Sequence, residues 1–242
     1  MLPTIYGKTD VDIHGYIKSG IELEYNKKYS DPYYQASIEM DIEVSNSIDG
    51  NIDTEYKSSD ESLKAEKISI RFKLSEPLRL RIGLIEKKFG LEEKLPRKKR
   101  TMVNKSIVNE YMAPFGYTEN SFGVLLYSAG QKLQPDFSFG VYHNNSRQIF
   151  FLATLGTDRL ALFNNVGIDM IYRSSMAIED NSDYFGVNLF AQHRSETLNI
   201  ENEIFFGTDP ESSEFMQLAD DNAKIYFWAV RSQISRPYYP DK

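Results

Sequence analysis

The sequence EKISIRFKLSEPLRLRIGLIE, residues 66–86, contains two runs in which apolar and polar side chains alternate. Successive side chains of a β-strand point to opposite faces, so each run predicts a strand with one apolar face and one polar face. The pair Glu76-Pro77 lies between the runs and predicts the turn of a hairpin. The polar face of this hairpin carries four cations, Arg71, Lys73, Arg79 and Arg81.

These four cations restrict the surroundings of the polar face. Burying an unpaired charge costs several kcal/mol or more, so the cations need water or anions around them. A sheet that is apolar on one face and charged on the other is what a membrane barrel with a water-filled lumen requires. A soluble antiparallel sheet with one wet face would show the same alternation, and it stays open as an alternative.

The same period of two continues through most of the chain. It predicts an all-β fold of about twelve antiparallel strands in up-and-down order, each near the length that a tilted membrane strand needs. The sequence therefore predicts a transmembrane β-barrel that forms one domain over residues 1–242. The one interruption is a long loop after strand five, residues 87–120, and a loop of that length in a β protein is usually functional or disordered.

The composition agrees with a barrel and excludes several other classes. The chain has 242 residues, a formal net charge of -7, no cysteine and a mean hydropathy of -0.46. The low mean hydropathy does not exclude a membrane protein, because a barrel places its lipid-facing residues at every second position. The absence of cysteine excludes disulfides, thiolate nucleophiles and cysteine-ligated metals.

Three stretches of the chain resemble one known family. HGYIKSGIELEY at residues 14–25, IRFKLSEPLRLRIGLIEKKFGLEE at residues 70–93 and KSIVNEYMAPFGYTENSFGVLLY at residues 105–127 resemble segments of the bacterial phosphate-selective porins O and P. The resemblance implies an outer-membrane β-barrel, usually trimeric, that passes anions through a lumen lined by Arg and Lys. It also implies an inward-folded loop that narrows the pore. The chain is short for that family, which implies either a smaller barrel of about twelve strands or a truncated form.

Cellular location follows from the same resemblance. The first residues, MLPTIYGKTD, lack the basic-then-apolar pattern of a signal peptide. The chain is therefore either a mature form or a protein that is not exported. The family resemblance implies the first, with a location in the bacterial outer membrane in contact with lipid and with lipopolysaccharide.

The polar faces predict which residues line the pore. Rings of Arg and Lys attract phosphate and carboxylate, so the cations favour passive diffusion of small anionic solutes. The pore-lining cations are those of the hairpin, Arg71, Lys73, Arg79 and Arg81. The cations expected at a constriction in the loop are Lys94, Arg97, Lys98, Lys99 and Arg100. The acidic residues expected on the opposing wall are Glu22, Glu24, Glu39, Asp41 and Glu43.

Other functions find less support in the sequence. The three histidines, His14, His143 and His193, lie on different predicted strands, and no nucleophile elbow or phosphate-binding glycine loop appears. We therefore expect no catalytic residues, no metal and no cofactor. Nucleic acid is not an expected partner, because the chain is acidic overall and its basic run lacks interleaved aromatic residues. The alternative function is a soluble or surface-bound β-sandwich or barrel that binds a ligand such as a carbohydrate.

Overall fold

The computed structural model describes residues 9–22, 31–58, 61–94, 106–113, 116–128, 136–143, 148–157, 163–175, 184–195, 197–208 and 226–235. These residues form twelve strands of one antiparallel sheet, and the strands follow one another in chain order. The prediction of an all-β, up-and-down fold with about twelve strands is confirmed, and this order is that of a β-barrel wall. The predicted long loop after strand five is also confirmed, because β5 ends at Glu86 and β6 begins at Asn120.

The strands are β1 (Asp10–Glu22), β2 (Asp31–Ser45), β3 (Ile48–Lys57), β4 (Ser62–Lys73), β5 (Leu78–Glu86), β6 (Asn120–Ser128), β7 (Asp136–His143), β8 (Gln148–Thr157), β9 (Asn165–Ser175), β10 (Tyr184–Arg194), β11 (Asn199–Thr208) and β12 (Tyr226–Ser235). Two short helices, α1 (Leu91–Lys94) and α2 (Ile107–Met112), lie between β5 and β6. None of the described helices is long and apolar enough to cross a membrane.

The chain divides into two compact units, Met1–Ile85 and Glu86–Lys242. The first unit contains β1–β4 and nearly all of β5, and the second contains both helices and β6–β12. The single domain expected over residues 1–242 stays a prediction.

In the first unit, the register between strands aligns side chains of the same kind. Ile13 pairs with Met40, which pairs with Ile52, and Ile52 pairs with Ile68. The adjacent row aligns His14, Glu39, Asp53 and Lys67 on the other face. The hairpin of β4 and β5 places Ile70 opposite Ile82 and Arg71 opposite Arg81, so the alternation in residues 66–86 becomes two distinct faces of the sheet.

The second unit also has two faces: one exposes large apolar side chains, and the other buries ionic and polar side chains together with apolar ones such as Phe150, Leu152 and Phe205. In the described residues of β6–β12, the apolar face carries no Asp, Glu, Lys or Arg. Large side chains of this face are exposed, among them Phe122, Phe139, Met170, Leu189, Ile204, Phe206 and Trp228. Residues of the polar face are buried, among them Ser121, Asp169, Arg173, Asn188, Gln192, Glu201 and Glu203.

Candidate functional site

The four cations of the hairpin lie together on the polar face of the first unit. Arg71 lies opposite Arg81 and Lys73 lies opposite Arg79 in the register of β4 and β5. Arg71 donates to both carboxylate oxygens of Asp49 on β3, at 2.8 and 2.9 Å, so its charge is neutralised by a bidentate pair. The predicted pore-lining set therefore converges in space, although the structure pairs Arg71 with an acid from the neighbouring strand.

The two cations nearest the hairpin turn have different partners. Lys73 Nζ lies 2.8 Å from Glu76 Oε1, and this ammonium lowers the pKa of the Glu76 carboxyl. Arg79 Nη1 donates to the carbonyl oxygens of Ser75 and Glu76, which carry no net charge. These carbonyl contacts orient the Arg79 guanidinium, which also contributes to the lowered pKa of the Glu76 carboxyl.

The predicted acidic residues of β2 lie on the same polar face. Asn51 Nδ2 donates to Glu39 Oε1 at 3.3 Å and to Asp41 Oδ1 at 2.9 Å. Glu43 pairs in register with Asp49, which pairs with Arg71, so β3 separates the acidic residues of β2 from the cations of β4. Their position on an opposing wall stays a prediction. The side chain of Glu22 and the whole of Glu24 lie outside the described residues.

Cross-strand pairing gathers a small polar group that the sequence pattern did not indicate. His14 Nε2 lies 3.0 Å from Glu39 Oε2 and 4.0 Å from Asp41 Oδ2. Their possible metal-ligand atoms lie within 4.8 Å of one another, but all three side chains are accessible to water. An ordinary pairing of His14 with Glu39 accounts for this contact.

In the second unit, residues 87–94 bind to the polar face of the sheet, and we call them the anchored segment. The backbone N–H of Gly90 donates to Asp169 Oδ2 on β9 at 3.0 Å, and that of Leu91 donates to Glu203 Oε1 on β11 at 2.5 Å. Gly90 has a φ of +91°, a conformation that favours glycine. A β-carbon at this position would lie 3.2 Å from Glu203 Oε1, so the Phe89-Gly90 pair fits the close approach of this backbone to the two carboxylates.

Lys94 provides a third anchor for the same segment. Its Nζ lies 2.6 Å from Asp169 Oδ1 and 3.7 Å from the ring centroid of Phe190. Asp169 is fully buried, and Thr154 Oγ1 and Asn188 Nδ2 also donate to it. Burial lowers the pKa of Lys94, and the Asp169 carboxylate opposes this shift. Lys94 was expected at the constriction, but its ammonium is held by a buried carboxylate.

Aromatic and aliphatic side chains fill the space around these polar anchors. The ring centroid of Phe89 lies 5.8 Å from that of Tyr117 and 6.1 Å from that of Phe205 on β11. Lys87 Nζ donates to Ser121 Oγ at 2.8 Å and lies 4.0 Å from the ring centroid of Phe150. Burial lowers the pKa of Lys87 to about 8. The anchored segment therefore packs against the sheet in addition to its three polar anchors.

Glu92 connects the two described sides of the loop. Its carboxylate accepts hydrogen bonds from Ser106 N at 3.0 Å, from Ser106 Oγ at 2.7 Å and from Asn109 Nδ2. Ser106 is the N-cap of α2, and its Oγ accepts from the N–H of Asn109. The buried carboxylate of Glu92 therefore joins the segment before residues 95–105 to the segment after them. The predicted constriction residues Arg97, Lys98, Lys99 and Arg100 lie outside the described residues.

A second charge network continues from Glu203 towards the end of the sheet. Arg231 on β12 donates to Glu203 Oε2 at 2.5 Å and to Glu201 Oε2 at 2.8 Å. Glu201 also accepts from Gln192 and from Arg194. Buried charges in proteins are stable when they are paired and hydrogen-bonded, which is the arrangement found here. This network holds the carboxylate of Glu203 in position for the N–H of Leu91.

Sequence reasoning missed the residues that hold the anchored segment. Asp169, Glu92 and Glu203 were not candidate site residues, although each is buried at a polar position. A signal for Asp169 was present, because it is the single acidic residue of β9 in a run of apolar and small neighbours. No local pattern shows that this carboxylate meets the backbone of Gly90.

A comparison with protein-family models and with curated proteins finds no match to this chain.

Proposed function

We propose that this chain is an outer-membrane channel for the passive diffusion of small anionic solutes such as phosphate or carboxylates. The observation that carries the proposal is the contrast between the faces of β6–β12: one exposes large apolar side chains and carries no Asp, Glu, Lys or Arg among its described residues, and the other buries ionic side chains among apolar ones. Water-soluble monomers rarely expose apolar patches of more than a few hundred Å². A wall between lipid and a polar interior requires this arrangement.

The aromatic side chains of the apolar face support contact with a bilayer. Phe185, Phe206 and Tyr226 form a cluster at one end of β10–β12, with ring centroids 5.8 to 6.2 Å apart. Trp228, which pairs in register with Phe206, is three-quarters exposed. Barrels place such girdles at the membrane interface, where an aromatic ring meets both the hydrocarbon and the head groups.

Closure of the sheet is a physical requirement of the proposal. An unpaired backbone amide in hydrocarbon costs several kcal/mol, so a sheet that spans a bilayer must be closed into a barrel. A trimeric assembly and contact with lipopolysaccharide, both implied by the family resemblance, belong to this proposal as well.

The proposal predicts how the purified chain behaves. We expect the chain to require detergent to stay dispersed and to migrate differently on a gel before and after boiling, because a folded barrel resists unheated SDS. The alternative, a soluble ligand-binding β-sandwich or barrel, would stay monomeric in buffer. A buffer-stable monomer that shows no heat-dependent migration would contradict the membrane channel.

Anion preference gives a second prediction for the same channel. Replacing Arg79 and Arg81 with Glu should lower the permeability of chloride relative to potassium, because carboxylates would replace guanidinium groups beside the water path. The measurement is the reversal potential of a planar bilayer under a salt gradient. The single variant Lys64→Glu, which changes the charge near the other end of β4, is the control for the single variant Arg81→Glu. A reversal potential that does not change in the double variant would exclude the hairpin as the selectivity element.

A further inference from the structure

We propose that solute passes along the polar face of β1–β5, and that the anchored segment closes the polar face of β8–β11 to solute. This inference rests on the proposed channel function and specifies its path. The basis is a difference between two polar faces, each described within its own unit. One face is covered by residues of the loop, and the other is accessible to water.

The covered face shields its central charged groups from water, although Arg194 at the end of β10 is 38% exposed. Asp169, Asn188 and Glu203 are each at most 1 % exposed. The carboxylate oxygens of Asp169 accept hydrogen bonds from Gly90 and Lys94, and those of Glu203 accept hydrogen bonds from Leu91 and Arg231. Phe89 and Leu91 are also buried, so an apolar contact accompanies the polar one. A solute that entered this face would have to displace both the ion pair and the packed rings.

Several charged side chains of the polar face of β1–β5 retain access to water, although Glu55 on the same face is buried. The side chains of His14, Asp41 and Arg71 are 43%, 54% and 41% exposed. Charges at such sites interact with solutes while they keep part of their hydration, and weak binding of this kind is what flux requires. Buried charges held by several partners would instead bind tightly or exclude the solute.

On the accessible face, acidic and basic side chains are concentrated on different strands. The pair of Arg71 with Asp49 joins β4 to β3, so acids and bases cancel where these strands meet. Beyond this pair, β2 contributes Glu39 and Asp41, and β5 contributes Arg79 and Arg81. A small anion is therefore expected to follow β5, whereas Lys94 is only 19% exposed and lies against the buried carboxylate of Asp169.

The absence of cysteine from the chain allows a direct test. A single introduced thiol is then the only target for a charged methanethiosulfonate reagent. Asn51→Cys places the thiol on the accessible face, and Gln192→Cys places it on the covered face, where Gln192 is buried. The two substitutions are matched, because each replaces an uncharged amide that donates to a carboxylate. Ser121→Cys, beside Lys87, provides a second covered position with a smaller change.

We expect the reagent to lower the conductance of Asn51→Cys channels in a planar bilayer and to leave Gln192→Cys and Ser121→Cys channels unchanged over the same time. Labelling after denaturation confirms that all three thiols are present and reactive. Conducting channels in which both covered thiols react as fast as Asn51→Cys would overturn the proposed path, as would a conducting Asn51→Cys channel that does not respond. A wild-type chain without conductance would instead overturn the channel function itself, so the two failures are distinguishable.

Discussion

Replacing Leu189 with Arg is expected to destabilise the chain folded in phospholipid vesicles by about 2–4 kcal/mol. Leu189 lies at the middle of β10 on the apolar face, between Ile168 and Ile204 in register, and half of its surface is exposed. An Arg on the lipid face of a barrel costs about 2–4 kcal/mol at the bilayer midplane. In a water-soluble protein, the same change at an exposed position would stay within about 0.5 kcal/mol.

The fraction of folded chain, followed by heat-dependent gel migration across a urea series, measures this difference. Leu74→Arg is the matched control, because Leu74 is 54% exposed, close to the 50% of Leu189, but follows β4 near the hairpin turn. Near the membrane interface, an Arg costs only about 0–1 kcal/mol. Equal and small effects of the two substitutions would show that the apolar face of β10 meets water, and the membrane proposal would then be wrong.

Replacing Asp169 with Asn is expected to release the anchored segment and to raise the single-channel conductance. The substitution removes the counter-ion of Lys94 and weakens the acceptor of the Gly90 N–H. Removing one partner of a buried ion pair costs about 3–5 kcal/mol, because the other charge is left uncompensated. Once the segment detaches, water and ions can reach the polar face of β8–β11, and the conducting cross-section of the channel increases.

A double substitution separates this mechanism from general loss of structure. Asp169→Asn combined with Lys94→Met removes both charges, so the variant should fold more stably than Asp169→Asn alone. The free energy of unfolding in urea and the conductance are measured for both variants and for Lys94→Met. A double variant that is as unstable as the sum of the two single variants would contradict an energetic coupling between Lys94 and Asp169.

The hairpin of residues 66–86 shows what a local pattern can predict. The alternation of residues such as Ile70 and Arg71 predicted two strands and two faces, and both are present. The pairing of Arg71 with Asp49 could not be predicted in the same way, because it depends on the register between β3 and β4. A shift of one residue would place Asp49 on the opposite face.

The loop after β5 shows the limit of the same reasoning. Its position was predicted from the break in the period of two, and its cations were expected to face the pore. Lys94 instead pairs with Asp169, a residue 75 positions away in the chain. The signal for this contact is divided between two distant segments, each of which has an ordinary local pattern.

By itself, the sequence determined the strand period, the strand number and the existence of two chemically distinct faces, because side-chain direction along a strand is a local property. Only the tertiary structure decided which polar residues are covered and which remain accessible. The contacts of Gly90 with Asp169 and of Leu91 with Glu203 join residues 79 and 112 positions apart. Such contacts depend on the register of several strands at once, so no local pattern specifies them.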